Sequence, residues 1–189
     1  MSFRLRFKKD QIRALARRYD SDSDRVILAD IVPRAKRAGC LTKPDLFAIG
    51  KWKSPRIAGR LDANHDALVH DVTTIALSAR REEIRIGALL ILRGVGWPVA
   101  SVILHLCHRD RYPILDHRAL WSAGSTVPQV YTFDFWWKYT EFCCQVARDA
   151  GVNMRVLDRA LWQYSKENPP VSGSGAVRRH AFLGRGQKG

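Results

Sequence analysis

Two short clusters in this chain combine residue types and spacing suited to chemistry. Leu92-Arg-Gly-Val-Gly-Trp-Pro-Val-Ala100 carries a pair of glycines between a leucine and an alanine. Gly94 and Gly96 let the backbone turn sharply without a Cβ penalty, and the amides that open the next helix then face an anion such as a phosphate. Leu92 suits a core anchor, and Ala100 allows two helices to approach closely. The same residues also suit a plain connection, with one helix ending at Gly94 and another starting near Pro98. Sixteen residues after Ala100 stands Asp116, within Ile114-Leu-Asp-His-Arg118. A carboxylate there can stabilise developing positive charge or orient a water. It can equally cap the helix that continues through Arg118-Ala-Leu-Trp121, a role worth about 1 kcal/mol.

Flat and basic side chains accompany these clusters. Trp52 lies in Gly50-Lys-Trp-Lys-Ser-Pro-Arg56, where Lys51, Lys53 and Arg56 surround an aromatic. That mixture suits phosphate contact with stacking, and a solvated helix end accounts for it equally well. Trp97 adjoins the glycines and, with Trp52 and His117, is a candidate for the wall of a base-sized pocket. Trp136, Trp137 and Trp162 lie on apolar helical patterns and are expected to pack inside. His117 is next to Asp116, but neighbours on a helix point about 100° apart. His105 and His108 share a helix face without a third ligand, so no catalytic metal is expected. Arg109 and Arg111 precede Asp116 and can steer a phosphate backbone or stay hydrated. Cys40, Cys107, Cys143 and Cys144 lack paired metal-ligand spacing and read as buried thiols.

Composition narrows the partner. Lys and Arg number 32 against 18 Asp and Glu, a net charge of +14, and the excess is mostly arginine. Such a surface attracts polyanions in a salt-dependent way, with nucleic acid, anionic membrane surfaces and ribosomal RNA all compatible. No stretch is long and apolar enough for a transmembrane helix, and the first nine residues lack the apolar segment of a signal peptide. A cytoplasmic protein without a membrane partner is expected, nucleoid-associated if bacterial.

Apolar positions recur at helical spacing and β-type alternation is missing, so the fold is expected to be all-α. Helices are predicted over 10–19, 24–38 with a kink or break at Pro33, 42–52, 65–79, 82–92, 97–108, 116–123, 133–150 and 154–167. Thr42-Lys-Pro-Asp45 is a strong helix start, with a capping threonine and a first-turn proline. From Asn168 onward, proline, glycine, serine and arginine replace the apolar pattern, predicting a flexible basic tail over 168–189.

Gly94-Val-Gly96, with Leu92 before it, Ala100 after it and Asp116 twenty residues beyond Gly96, resembles the helix-hairpin-helix DNA glycosylase superfamily, whose relatives include endonuclease III and the adenine and alkylated-base glycosylases. The resemblance is close over about Ile86 to Ala123. It implies two helical lobes, with the helix-hairpin-helix beside an interlobe cleft: residues 24–106 as one lobe, and 1–23 with 107–167 as the other, carrying Asp116. It implies double-stranded DNA gripped through the backbone of Gly94, Val95 and Gly96, and a monovalent cation is allowed at the hairpin carbonyls. Members that also cleave the strand carry a lysine two residues after the second glycine; here that residue is Pro98, followed by Val99. The iron-sulfur cysteines of some members have no counterpart after Cys144.

The implied activity is a monofunctional DNA glycosylase, acting as a monomer, that removes a damaged, modified or mispaired base with Asp116 as the catalytic carboxylate. An abasic-site endonuclease would follow. The base must be flipped out of the duplex into a pocket. Two other readings stay open: a non-catalytic DNA-binding protein with the same hairpin, and a basic RNA-associated helical protein.

Overall fold

The computed structural model describes residues 2–20, 24–108 and 111–170. Arg109 and the predicted tail beyond residue 170 lie outside them. Among the described residues the secondary structure is entirely helical.

A 3-10 turn, Lys9–Gln11, leads into α1 (Ile12–Arg17). The second predicted helix begins instead as a π turn, Ile27–Ile31, and becomes α2 (Val32–Ala38) with Pro33 in its first turn. Proline has no N–H for the carbonyl four residues earlier, and the wider turn falls on the residues that would have supplied it. α3 (Lys43–Lys53) starts at a capping box in which Thr42 and Asp45 satisfy one another's backbone amides. The stretch after it, assigned no helix from the sequence, holds a 3-10 turn, Pro55–Ile57, and a short α4 (Ala58–Asp62). α5 (Asp66–Ser78), α6 (Glu82–Leu89) and α7 (Trp97–Cys107) follow. α8 (His117–Ser122), α9 (Phe133–Asp149) and α10 (Met154–Glu167) complete the described chain, with Asp116, Thr132 and Asn153 as their caps.

Packing sorts the helices into two groups. α1 runs along α10, and α10 also packs against α8 and α9; α3 packs against α4, α5 and α7, and α6 against α5 and α7. One apolar core passes through both groups, from Ile12, Leu157 and Leu161 to Leu46, Leu89 and Ile103. Trp136 belongs to it, fully buried as predicted and stacked near-parallel on Tyr112. Of the four cysteines, Cys107 and Cys143 are buried and Cys40 and Cys144 only partly so. Burial pushes the Cys107 thiol up to about 12, which makes it inert.

Candidate functional site

The hairpin is held from outside its own sequence. After α6 the chain descends through residues 90–93, and the amide of Val95 closes on the carbonyl of Leu92 at 3.1 Å. Gly94 adopts φ +81°, a left-handed conformation costly for other residues. A Cβ there would also lie 3.1 Å from the Leu61 amide nitrogen. Gly96 is extended and forms the N-cap of α7. It is exposed, and only the Pro98 Cδ, at 3.8 Å, would face a Cβ on it. The buried Asn64 clamps the preceding residue, accepting from the Arg93 amide at 2.8 Å and donating to its carbonyl at 2.9 Å. Val95 has a buried side chain and its amide is taken by the Leu92 carbonyl, so its own carbonyl is the part it offers to a ligand. Of the hairpin carbonyls, those of Leu92 and Arg93 already accept hydrogen bonds from Val95 and Asn64.

The segment that carries Asp116 is tied to the hairpin helix. Ser101, on α7, donates to the Pro98 carbonyl and accepts from the Leu115 amide, each at 2.8 Å. His105 Nδ1 meets the Tyr112 carbonyl at 2.6 Å, and Asp158 on α10 accepts from the Ile114 amide at 3.3 Å. The buried side chains of Ile114 and Leu115 anchor the same segment in the core. Asp116 then caps α8, accepting from the Arg118 amide through Oδ1 at 2.8 Å.

Its other oxygen, Oδ2, lies 2.6 Å from the Nζ of Lys53, the last residue of α3, in a pair whose side chains are 18% and 13% exposed. Burial by itself raises the Asp116 carboxyl. The Lys53 charge and hydrogen bond, the Arg118 amide and the nearby His117 outweigh it and hold Asp116 below the ordinary carboxylate value. Asp116 is therefore an anion at neutral pH. Tyr131, close enough to feel that charge, has its phenol raised by burial and by Asp116.

Asp116 and Lys53 border a pocket of about 230 Å³ whose other walls are Tyr19, Trp52, Ile114, Ala119, Asp158 and Trp162. A second, shallower groove of about 460 Å³ runs over Gly94, Val95, Gly96, Pro98 and Val99 and is completed by Lys53, Ser54, Ile57 and Arg60. Lys53 belongs to both.

The structure thus brings Asp116, Lys53 and Trp52 together and places the Gly94–Gly96 hairpin beside them. Trp97 is not part of the pocket: it is partly buried and tilts against Trp136 at 6.3 Å, inside an aromatic cluster. His117 is also outside it, because its side chain is 72% exposed, with Nδ1 3.7 Å from Asp116. Lys51 and Arg56 are exposed on the same stretch of chain but line neither cavity. Arg111 turns away to pair with Glu82 and to cover the Trp137 ring. Trp162, assigned to the core from its helical pattern, is instead a pocket wall. Tyr19, Asp158 and Arg60 were not singled out from the sequence; the basic character of 51–60 was a signal for Arg60, whereas Tyr19 and Asp158 come from the two ends of the chain with no local signal.

Among the described residues, no group of three or more histidine, cysteine or acidic side chains is placed to hold a metal ion, and no helix is long and apolar enough to cross a membrane. No family model matches the chain, and no curated protein sequence matches it. Among solved structures, it is similar to the crystal structure of Methanocaldococcus jannaschii 8-oxoguanine glycosylase/lyase in complex with a 15mer DNA containing 8-oxoguanine, at 13% identity and a TM-score of 0.48, covering 84% of this chain and 80% of that one.

Proposed function

We propose that the chain is a DNA glycosylase that accepts a flipped-out nucleotide in the Asp116 pocket and cleaves its base–sugar bond. One observation carries this reading: Lys53 is a wall shared by the hairpin groove and by the pocket holding the carboxylate. A strand whose phosphate rests on the backbone amides at Gly94–Gly96 has its next nucleotide within reach of Asp116. Tyr19, Trp52 and Trp162 give the pocket flat walls suited to a heterocycle. Its size is below the about 300–1,000 Å³ of drug-sized sites and suits one base.

As the base leaves, positive charge builds on the sugar, and an ionised Asp116 stabilises it and orients a water toward C1′. Exposed Lys51, Arg56 and Arg60 and the net charge of +14 supply the phosphate attraction. The protein would act as a monomer in a DNA-containing compartment and hand its product to an abasic-site endonuclease. The reading is tested by incubating duplexes carrying uracil, 8-oxoguanine, an alkylated purine or a mismatch, then exposing abasic product with alkali. At least one lesion should yield breaks, and Asp116→Asn should abolish them while leaving duplex binding in place.

A non-catalytic DNA-binding protein remains the second reading, favoured by one fact: both Asp116 oxygens are already engaged, by Arg118 and Lys53. Salt-sensitive duplex binding with no abasic product across the panel is its expected signature.

A further inference from the structure

Two of the three aromatic walls of the Asp116 pocket carry cations of their own. Arg155 and Arg159 lie over the Tyr19 ring, at 5.9 and 5.4 Å from its centre, and Arg118 and Lys166 lie over Trp162, each at 5.3 Å. All four come from α8 and α10, which pack together at these walls. The carboxylates of the neighbourhood are already paired: Asp116 with Lys53, the buried Asp24 with Arg155 and Arg159, and Asp158 with Arg155 at 3.4 Å. Glu167, next to Lys166 in the chain, is bonded by Arg18. Arg118 and Lys166 are left without an ion pair among the described residues, a surplus of two positive charges at the Trp162 wall. An aromatic face attracts a cation through its π electrons, and at Tyr19 and Trp162 fixed side chains already draw on that attraction. A base that is itself a cation would stack on rings polarised toward like charge.

We infer that the pocket is built for electrically neutral bases, which depart as anions, and selects against bases with a fixed positive charge, the N-alkylated purines. The inference rests on the pocket receiving a nucleotide, as proposed above. When a neutral base leaves, the bond to C1′ breaks with its electron pair on the base, so negative charge grows on a ring held against cation-backed walls, where it is stabilised. Water adds to C1′ through its oxygen and gives its proton to Asp116, which passes it to the base anion. The products are a free neutral base and an abasic sugar. A cationic base is already neutral once it has taken the electron pair, and the water proton goes to solvent. The surplus charge then opposes binding and has no growing anion to stabilise.

The test uses the full chain and duplexes that differ in one base: 8-oxoguanine, uracil or a mispaired adenine as neutral bases, 7-methylguanine or 3-methyladenine as cationic ones. Released base is measured by mass spectrometry and divided by its spontaneous release without protein, because the alkylated bases leave more readily unaided. The acceleration for at least one neutral base should exceed that for both cationic bases by about tenfold or more. Arg118→Gln combined with Lys166→Gln removes the surplus charge and should narrow that ratio several-fold. Lys166 is exposed, so Lys166→Gln alone leaves the fold in place and should narrow the ratio in the same direction by less. A cationic base accelerated as much as every neutral one, or a ratio unchanged in both variants, overturns the inference while the glycosylase reading stands. Release of no base from any of the duplexes overturns this inference and the glycosylase reading together.

Discussion

Asn64 and Arg93 are joined by two hydrogen bonds between one side chain and one residue's backbone, at 2.8 and 2.9 Å. Asn64 follows α4 and Arg93 precedes the hairpin, so this amide fixes how the Gly94–Gly96 turn is presented above the groove. Its donor group also bonds the Leu61 carbonyl at 2.8 Å.

Replacing Asn64 with leucine should therefore loosen the hairpin. Asn64 is buried, and the substitution leaves both Arg93 backbone groups without their partner and removes the side-chain bond to the Leu61 carbonyl. A loss of about 1–3 kcal/mol is expected, read as a lower urea midpoint. Duplex affinity measured under conditions where the variant stays folded should also fall; unchanged stability and affinity would show the clamp to be dispensable.

The two hairpin glycines should respond differently to alanine. Gly94 sits at φ +81° with Leu61 and Arg60 against it, so Gly94→Ala should cost about 1–2 kcal/mol from backbone strain, with steric displacement added. Gly96 is extended and open. Gly96→Ala should leave Tm nearly unchanged while weakening DNA binding, because the new methyl group stands between the backbone amides and a phosphate. Equal losses of Tm in the two variants would contradict the assignment.

Acid should weaken the Asp116 cap and ion pair selectively. The folded protein holds this carboxyl below its ordinary value, so its ionised form contributes stability that is complete above about pH 5 and lost as pH falls through the folded-state value. Asparagine caps a helix about as well but carries no charge for Lys53. The stability advantage of the wild type over Asp116→Asn should accordingly shrink on acidification, a trend that chemical denaturation at stepped pH reads directly. An advantage that grows toward low pH would rule out the stated direction.

Salt should report the groove's phosphate contacts. Arg60 lines the groove beside Gly94 and Gly96 and is exposed. Arg60→Ala should weaken binding to all duplexes alike and reduce the slope of log K against log salt by about 1. A variant that keeps the wild-type slope would remove Arg60 from the interface.

The linear chain was sufficient for the helical class, because helix periodicity is local: the recurrence of apolar residues and caps such as Thr42 and Asp116 need only a few neighbouring positions to be read. The glycine turn and its spacing to Asp116 were legible for the same reason, as was the buried place of Trp136. Short helices near 55–62 escaped because proline and glycine interrupt the apolar pattern there, and their helicity comes from packing on α3.

The pocket was decided only in three dimensions. Tyr19, Lys53, Asp116 and Trp162 are remote in sequence and meet because α1, α3, α8 and α10 converge there. Hydrophobic patterning says that a tryptophan turns inward but not whether it meets core or cavity, so Trp97 and Trp162 exchanged their expected places. Charge patterning likewise announces a basic stretch without saying which amine leaves solvent. That Lys53 faces a carboxylate while Lys51 faces water follows from their directions on one helix and from what packs against each side, a relation that no linear spacing encodes.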